Sequence, residues 1–233
     1  MKKSLLLTAA VLTLGASSAM AQHYDPFFSL NGEAGSKGAT AILSAGDVGS
    51  IGDAGDIGLM GKTGINEKLE VGVNIGLGVL NDGKDSFDSA LIGAKYSIGE
   101  TRAISVNLLA PVGGADDPGL SVGIMAVHEL AGMPLNEHLQ VSFLKGFAAN
   151  GANIDLFLEP VKELSDKLIL YIDVPISANT DNFGDSLNID IAPNIDYVLS
   201  EKAVLNVGIG LNIYNGIDRN SDIGVVAALV AAL

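Results

Sequence analysis

The sequence predicts an all-β protein, an antiparallel up-and-down transmembrane β-barrel of about twelve strands. The first observation is a set of five short polar turns that recur at near-constant spacing. The second is the alternation of apolar and polar residues in the stretches between them, and the third is an N-terminal export signal. Short turns that alternate with longer loops are typical of hairpins repeated around a membrane barrel.

Residues 1–21 have the three parts of a cleavable export signal. Lys2 and Lys3 form a positive start, a short apolar core follows, and Ala19-Met20-Ala21 supplies small residues for cleavage. The core is too short to cross a bilayer as a helix. We therefore expect Gln22 to begin a mature chain of 233 − 21 = 212 residues, exported to a Gram-negative envelope.

The segment 22–32 precedes the barrel, which is predicted to occupy residues 33–233. It contains the apolar group Phe27-Phe28-Ser29-Leu30 directly after Pro26. Two interpretations are open. The segment either serves as a periplasmic anchor or folds into the mouth of the barrel and narrows it.

Three stretches show the strand pattern clearly. Odd positions of 69–79 are all Leu, Val or Ile, while its even positions are Glu, Gly or Asn, and 187–199 and 203–214 behave in the same way. Because successive side chains of a strand point to opposite faces, one face is apolar and the other is polar or small. The other strands are predicted at 33–43, 55–65, 89–98, 102–112, 120–129, 139–148, 153–162, 168–177 and 223–233.

The short turns each combine Asn, Ser or Gly with an acid. They are predicted at Asn66-Glu67-Lys68, Gly99-Glu100-Thr101-Arg102, Asn136-Glu137-His138, Ser165-Asp166-Lys167 and Ser200-Glu201-Lys202, so their acids are 33, 37, 29 and 35 residues apart. We expect these turns and both chain ends to face the periplasm. The longer loops should then face outside, at 44–54, 80–88, 113–119, 148–152, 178–186 and 215–222.

A soluble sandwich with one wet face would also show alternation. The predicted strands, however, have about ten residues, which suits tilted membrane strands better than ordinary ones. Their polar face consists mainly of Gly, Ser, Asn and Asp, and short and long connections alternate strictly. In addition, 48% of the residues are apolar, which a barrel wall facing lipid accommodates without a very large core.

Composition excludes several classes of function. The chain has no cysteine, so disulfides, thiolate metal sites and a cysteine nucleophile are excluded. Loss of Lys2 and Lys3 leaves 11 basic residues against 27 acids, a formal charge of 11 − 27 = −16. Nucleic acid is not expected as a partner of so acidic a chain, whereas cations are.

With a signal at 1–21 and hairpins across 33–233, the chain resembles the bacterial outer-membrane β-barrel class, and its porin-like members of about twelve strands in particular. The resemblance implies a cell outer-membrane location, contact with outer-membrane lipid and delivery by the outer-membrane insertion machinery. It also implies a monomer without cofactors that acts as a passive channel for small solutes. The alternative is a non-conducting barrel with a structural or surface-binding role.

The inward face is the candidate functional site. If the apolar rows face lipid, the lumen receives seven acids and two bases, which attract cations and disfavour anions. The alternative is that acids and bases pair across the lumen and plug it, because twelve strands lie between the filled and the open sizes of barrels. The predicted lining residues are Asp56, Lys62, Glu70, Lys95, Asp155, Glu159, Asp173, Asp190 and Asp196.

The acids of the predicted outer loops are all aspartates. Aspartate suits loops because its short side chain bonds its own backbone, which explains the choice without a ligand. Asp218, Asn220 and Asp222 alternate as oxygen donors, but the Gly and the distal Glu of a calcium loop do not follow. We therefore expect no metal site beyond a salt-sensitive one there. The loop aspartates are Asp47, Asp53, Asp82, Asp85, Asp88, Asp116, Asp117, Asp181, Asp185, Asp218 and Asp222.

Catalysis is not expected. The chain has three histidines, with His23 in the N-terminal segment, His138 in a predicted periplasmic turn and His128 at a strand end beside Glu129. A hydroxyl nucleophile needs a base within hydrogen-bond reach, and no serine lies within two residues of His128.

Overall fold

The computed structural model describes residues 37–45, 57–77, 89–111, 118–143, 151–216 and 223–232. Twelve strands in these ranges form one closed antiparallel barrel, as the sequence predicts. They are β1 (Lys37–Ala45), β2 (Ile57–Gly64), β3 (Leu69–Leu77), β4 (Ser89–Gly99), β5 (Arg102–Pro111), β6 (Gly119–Leu130), β7 (Met133–Phe143), β8 (Asn153–Ser165), β9 (Leu168–Asn179), β10 (Asn188–Ser200), β11 (Ala203–Asn215) and β12 (Ile223–Ala232).

The topology is that of an up-and-down barrel. Each strand pairs with its neighbours in sequence, and β1 closes the ring against β12, with Gly38 opposite Ala232. Closure leaves no free strand edge, so the backbone hydrogen bonds of the wall are satisfied within the sheet.

Burial along the strands is inverted relative to a water-soluble protein. On β11, Leu205, Val207 and Ile209 are exposed, whereas Asn206 and Asn212 on the opposite face are buried. The same inversion holds around the described wall. Its outward residues include Ile92, Ile104, Val106, Leu108, Val122, Ile124, Leu139, Ile195, Leu211 and Leu229. Apolar rows that face out from a closed ring are suited to lipid.

The short turns form where small polar side chains bond the backbone locally. Asn66 Oδ1 accepts hydrogen bonds from the backbone N–H groups of Lys68 and Leu69, both at 2.9 Å. Ser165 Oγ accepts one from Lys167 N at 3.3 Å, and Ser200 Oγ accepts the equivalent bond from Lys202 N. These side chains replace ladder partners that the backbone loses at the turn.

The predicted turn at Asn136-Glu137-His138 is wrong. The chain reverses at Ala131 and Gly132, whose φ angles of 52° and 81° are those of a tight hairpin turn. The polar residues instead belong to β7, where Asn136 and His138 take inward positions of the alternation. As a result β7 begins six residues before the predicted 139–148.

Only one of the predicted outer loops is described in full, the connection from β9 to β10. It contains a single helical turn, α1 (Phe183–Ser186). Thr180 Oγ1 accepts a hydrogen bond from Ala152 N at 2.8 Å and ties this loop to the start of β8. Of the other predicted loops, most residues lie outside the described ranges. Within those ranges no helix is long and apolar enough to cross a membrane.

Candidate functional site

The inward face of the barrel carries the predicted lining residues. Asp56 lies outside the described residues. The other eight occupy inward positions on β2, β3, β4, β8, β9 and β10, and Glu70, Lys95, Glu159, Asp173, Asp190 and Asp196 are buried there. Lys62 has a buried side chain as well, and Asp155 is partly buried.

The two lysines share one carboxylate. Glu70 on β3 lies directly opposite Lys95 on β4, and Lys95 Nζ is 2.7 Å from Glu70 Oε1. Lys62 Nζ on β2 approaches the same oxygen at 3.7 Å. Three neighbouring strands therefore carry an inward ion cluster with two positive groups and one negative group.

The acids of β9 and β10 are held by asparagine amides on the adjacent strand. Asn194 Nδ2 donates to Asp173 Oδ2 at 2.8 Å, and Asn206 Nδ2 donates to Asp196 Oδ1 at 2.7 Å. Tyr171 also hydrogen bonds to Asp196. A neutral amide donor fixes a carboxylate in place and does not cancel its charge.

Asparagine amides also bind Glu159 on β8 and Asp190 on β10. Asn136 Nδ2 donates to Glu159 Oε1 at 2.5 Å, from β7 to β8. Asp190 accepts from Asn212 Nδ2 at 2.6 Å and from Asn188 Nδ2 at 2.9 Å. The sequence pattern places the asparagines of β10 and β11 on the polar face with the acids, but it did not predict these hydrogen bonds, and it placed Asn136 in a turn.

Glycine makes room for one of these pairs. Gly208 lies opposite Asn194 on β11, and a Cβ added at Gly208 would fall on the Asn194 amide. The absence of a side chain at 208 therefore lets Asn194 lie flat against the wall and reach Asp173.

Opposite charges occupy opposite sides of the ring. In the closed order of twelve strands, β3 and β9 are six positions apart, which is half of the circumference. The lysines lie on β2 and β4, whereas the five inward acids Asp155, Glu159, Asp173, Asp190 and Asp196 lie on β8, β9 and β10. The described lumen thus has an acidic wall, β8 to β10, which faces the lysine cluster.

An inward apolar patch adjoins the acidic wall near the Asp166 turn. It consists of Val161 on β8 with Ile169 and Tyr171 on β9, which pack together and are buried. In the register, Ile169 lies opposite Asp196, and Tyr171 lies opposite both Val161 and Asn194. Sequence reasoning did not single out this patch.

His138, predicted in a turn, is one of the most buried side chains of the interior, with 1% of its surface exposed. Its ring lies over Gly123, and Ser105 Oγ lies beside the same position. Ser105 Oγ makes no hydrogen bond. The two residues are therefore not joined as a nucleophile and its base.

The letters G-x-S-x-G occur at 119–123, which sequence reasoning overlooked. The structure places the central Ser121 within β6, where it is buried and accepts a hydrogen bond from Asn107 Nδ2 at 3.0 Å. A nucleophile of this motif needs an exposed strand-to-helix turn. Ser121 is in a continuous strand and lacks that context.

Only two of the aspartates in the predicted outer loops lie within the described residues. Asp181 and Asp185 are exposed in the loop between β9 and β10, and the remaining predicted loop aspartates lie outside the described residues, including the candidate set Asp218, Asn220 and Asp222. In the part of the chain that the structure describes, no three His, Asp or Glu side chains are grouped to hold a metal ion.

His128 forms an exposed pair away from the lumen. Its Nδ1 atom is 2.7 Å from Glu137 Oε2 on the outward face, where β6 and β7 meet near their turn. The pair lies near the end of the barrel wall, as the sequence predicts for His128, and belongs to the surface of the hairpin.

Solved structures with the same architecture are outer-membrane proteins. An outer-membrane channel from Pseudomonas putida F1 aligns with a TM-score of 0.63 at 11% identity, covering 89% of this chain and 98% of that one. The KdgM porin aligns at 0.56 and 8% identity, covering 84% and 99%, and the NanC porin at 0.54 and 8%, covering 84% and 100%. No family model and no curated sequence matches this chain. The fold is therefore that of porin-like outer-membrane barrels.

Proposed function

We propose that the protein is an outer-membrane channel that passes small solutes without an energy source and prefers cations. The observation that carries the proposal is the acidic wall, β8 to β10, in a closed barrel whose apolar rows face outward. The similar architecture of an outer-membrane channel and of two porins supports it. The export signal predicted at 1–21 agrees with an outer-membrane location, and delivery by the insertion machinery of that membrane is part of the proposal.

The charge of the lumen supports the preference for cations. The predicted lining residues that are described comprise six acids and two lysines, so their formal charge is 2 − 6 = −4. One of the six, Glu70, is bound to both lysines. Four of the five acids of the opposite wall, Glu159, Asp173, Asp190 and Asp196, are held by asparagine amides, which leave their negative charge in place to attract cations.

One observation favours the second candidate, a non-conducting barrel with a structural or surface-binding role. Glu159, Asp173 and Asn194 have no exposed surface, which indicates a lumen that is closed at their level. A resting channel that opens and a permanently filled barrel both agree with this burial. They differ in whether current flows.

Reconstitution of the purified protein into planar bilayers tests the proposal. Under a tenfold KCl gradient, a cation-preferring pore gives discrete current steps and a reversal potential with the sign of the K⁺ equilibrium potential. Current steps that reverse at the Cl⁻ potential would contradict the cation preference. The absence of steps both in the whole mature chain and after removal of residues 22–31 would support the non-conducting barrel.

A further inference from the structure

A row of aliphatic side chains encircles the short-turn end of the barrel on its outer face. One of them directly precedes each of the five short turns, and all are between 49 and 56% exposed. They continue the outward alternation of β2, β4, β6, β8 and β10, so the lipid-facing surface extends as far as the turns. This aliphatic row consists of Ile65, Ile98, Leu130, Leu164 and Leu199.

Two tyrosines mark the membrane interface just inside this row. Tyr96 and Tyr197 face outward two residues before Ile98 and Leu199, and they are 45 and 43% exposed. Tyrosine combines an apolar ring with a polar hydroxyl and is enriched where a membrane meets water. Two residues of a strand tilted by about 40° rise about 5 Å, which is within the interfacial layer of about 5–7 Å on each side of a bilayer. The turns therefore lie at the level of the lipid headgroups.

The exposed basic residues of the described ranges gather at the same end. Six of them occur there, whereas the described loop at the opposite end, between β9 and β10, exposes the acids Asp181 and Asp185 and no base. The six bases are Lys37, Lys68, Arg102, Lys162, Lys167 and Lys202.

Three of these residues, which we call the outward bases, lie on the lipid-facing side of strands. Ala103 and Val161 are buried inside the barrel, so alternation turns their neighbours Arg102 and Lys162 outward. Lys37 takes the same side at the start of β1. Lysine and arginine side chains can lie along apolar surface and carry their charged ends to the water interface. The outward bases therefore reach from the wall to the layer of the lipid phosphates.

The tips of four short turns carry exposed acids. They follow the aliphatic row in the chain, so they lie farther from the hydrocarbon than the strand positions of the outward bases. Within the part of the chain that the structure describes, neither the outward bases nor these acids form an ion pair. The tip acids are Glu67, Glu100, Asp166 and Glu201.

The hairpin of β6 and β7 departs from this pattern. Its turn at Ala131 and Gly132 carries no charge, and Glu137 on its outer face is already paired with His128. Glu129 of β6 and Glu163 of β8 are exposed as well, but alternation places them on the inward side. The two layers, bases first and acids beyond them, thus belong to the other four hairpins and to β1.

We propose that the short-turn rim, formed by the aliphatic row and the five turns, binds zwitterionic phospholipid headgroups of the phosphoethanolamine type. In this headgroup the phosphate is attached to the glycerol, and the primary ammonium lies farther from the hydrocarbon. The phosphate meets the outward bases and the ammonium meets the tip acids, so both layers find an opposite charge. An anionic lipid without an ammonium would instead bring a negative charge toward the tip acids.

This inference goes beyond the proposed channel function. It concerns the outer surface of the barrel and does not depend on whether the lumen conducts. It rests on the outward apolar rows, which place the rim against a lipid leaflet.

Lipid retention by the unaltered mature protein tests the headgroup. Native mass spectrometry in detergent counts bound lipid after equal additions of phosphatidylethanolamine, its N-methyl and N,N-dimethyl derivatives, and phosphatidylcholine. This series removes N–H donors step by step and keeps the charge. We expect retention to fall along the series, by about threefold or more from first to last. Equal retention of all four lipids would overturn the proposal, and so would stronger retention of the anionic phosphatidylglycerol.

Matched double variants test the outward bases. Arg102→Gln with Lys162→Gln removes two of them, and the control Lys167→Gln with Lys202→Gln removes the same charge from the turn tips. The first variant should lower retention of phosphatidylethanolamine by about threefold, and the control should lower it less. Equal losses would contradict the layered arrangement and overturn the proposal. Unchanged retention in both would leave the rim to a soluble partner and overturn it too.

A variant without the tip acids tests the second layer. Its changes are Glu67→Gln, Glu100→Gln, Asp166→Asn and Glu201→Gln. It should bind phosphatidylethanolamine and phosphatidylcholine equally, because the phosphate contacts remain and the partners of the ammonium are gone. A preference that persists in the folded variant would overturn the proposal. The headgroup series on the unaltered protein decides the matter if a variant does not fold.

Discussion

Glu70 and Lys95 form a buried ion pair across β3 and β4, with Lys95 Nζ 2.7 Å from Glu70 Oε1 and both side chains 1% exposed. Removing one partner of such a pair leaves the other charge in a site that has lost part of its solvation. That loss is typically more costly than replacing both partners.

Lys95→Met should therefore lower the free energy of unfolding in detergent by about 3 kcal/mol. The double variant with Glu70→Gln should recover part of this loss, because it removes the carboxylate that has lost its closer partner and keeps only Lys62 at 3.7 Å. Urea titration read by gel mobility of the folded barrel measures both. The control Lys68→Met, on an exposed short turn, should change stability by no more than about 0.5 kcal/mol. Additive effects of the two lumen substitutions would contradict the coupling.

Val207 tests whether the outward rows face lipid. It is exposed on β11 between Asn206 and Gly208, which face inward. Arginine at a lipid-facing position near the bilayer centre costs about 2–4 kcal/mol. Val207→Arg should show a loss of this size in phospholipid vesicles, whereas Val207→Leu should be close to neutral. Equal stability of the two variants would indicate that position 207 does not face hydrocarbon.

Asp173 should contribute to ion selectivity. It is fully buried on the acidic wall and is fixed by Asn194 at 2.8 Å. Asp173→Asn removes a negative charge and nearly preserves shape, so the K⁺ to Cl⁻ permeability ratio should fall by about twofold or more. The matched control is Asp181→Asn in the exposed loop, which should change the ratio less. Reversal potentials under a KCl gradient give the permeability ratio of each variant. Equal ratios for Asp173→Asn and Asp181→Asn would contradict a role of Asp173 in selectivity.

The tight turn at Ala131 and Gly132 offers a stabilising change. Ala131 has a φ of 52°, a left-handed conformation that asparagine adopts more readily than alanine. Asn-Gly is also the preferred pair for such a turn. Ala131→Asn should raise the free energy of unfolding by about 0.5–1 kcal/mol, and Gly132→Ala should lower it by a similar amount. Urea titration of both variants checks this prediction. A lower stability of Ala131→Asn would contradict the left-handed conformation of residue 131 and place the turn elsewhere.

Gly208 should tolerate no side chain. A Cβ there would fall on the Asn194 amide, which would break the bond to Asp173 or shift β11. Overpacking of this kind typically costs about 1–3 kcal/mol. Gly208→Ala should show such a loss, while Gly184→Ala, with no atom within 4 Å of its added Cβ, should show little. Similar stability of the two variants would mean that Asn194 moves aside without cost.

The barrel could be predicted from the sequence because alternation is a local property. The residues of each strand show by themselves which face is apolar and which is polar, as in β3 and β11. An even number of antiparallel strands then lets the first strand pair with the last and close the barrel. The misplaced turn had a visible signal. The acid steps of 37 and 29 residues flank it, and a turn at Gly132 replaces them with 132 − 100 = 32 and 166 − 132 = 34.

The pairing of the inward side chains could not be predicted in the same way. Which asparagine reaches which acid depends on the register between strands, as in Asn194 with Asp173, and on the space that Gly208 leaves. Register depends on turn geometry, and a displaced turn changes the partners of a whole strand. His138 shows this effect. The sequence pattern predicts it in a short turn, but the turn lies at Ala131 and Gly132, so His138 belongs to β7 and is buried in the interior.

The pairing of Gly38 with Ala232 joins residues that are 232 − 38 = 194 positions apart. β1 therefore pairs only with β2 until β12 has been inserted. A chain that stops early would present two bare sheet edges, which seek pairing with other chains. Truncations that remove β12 should therefore be lost to aggregation or proteolysis, even though all the predicted lining residues remain in the chain.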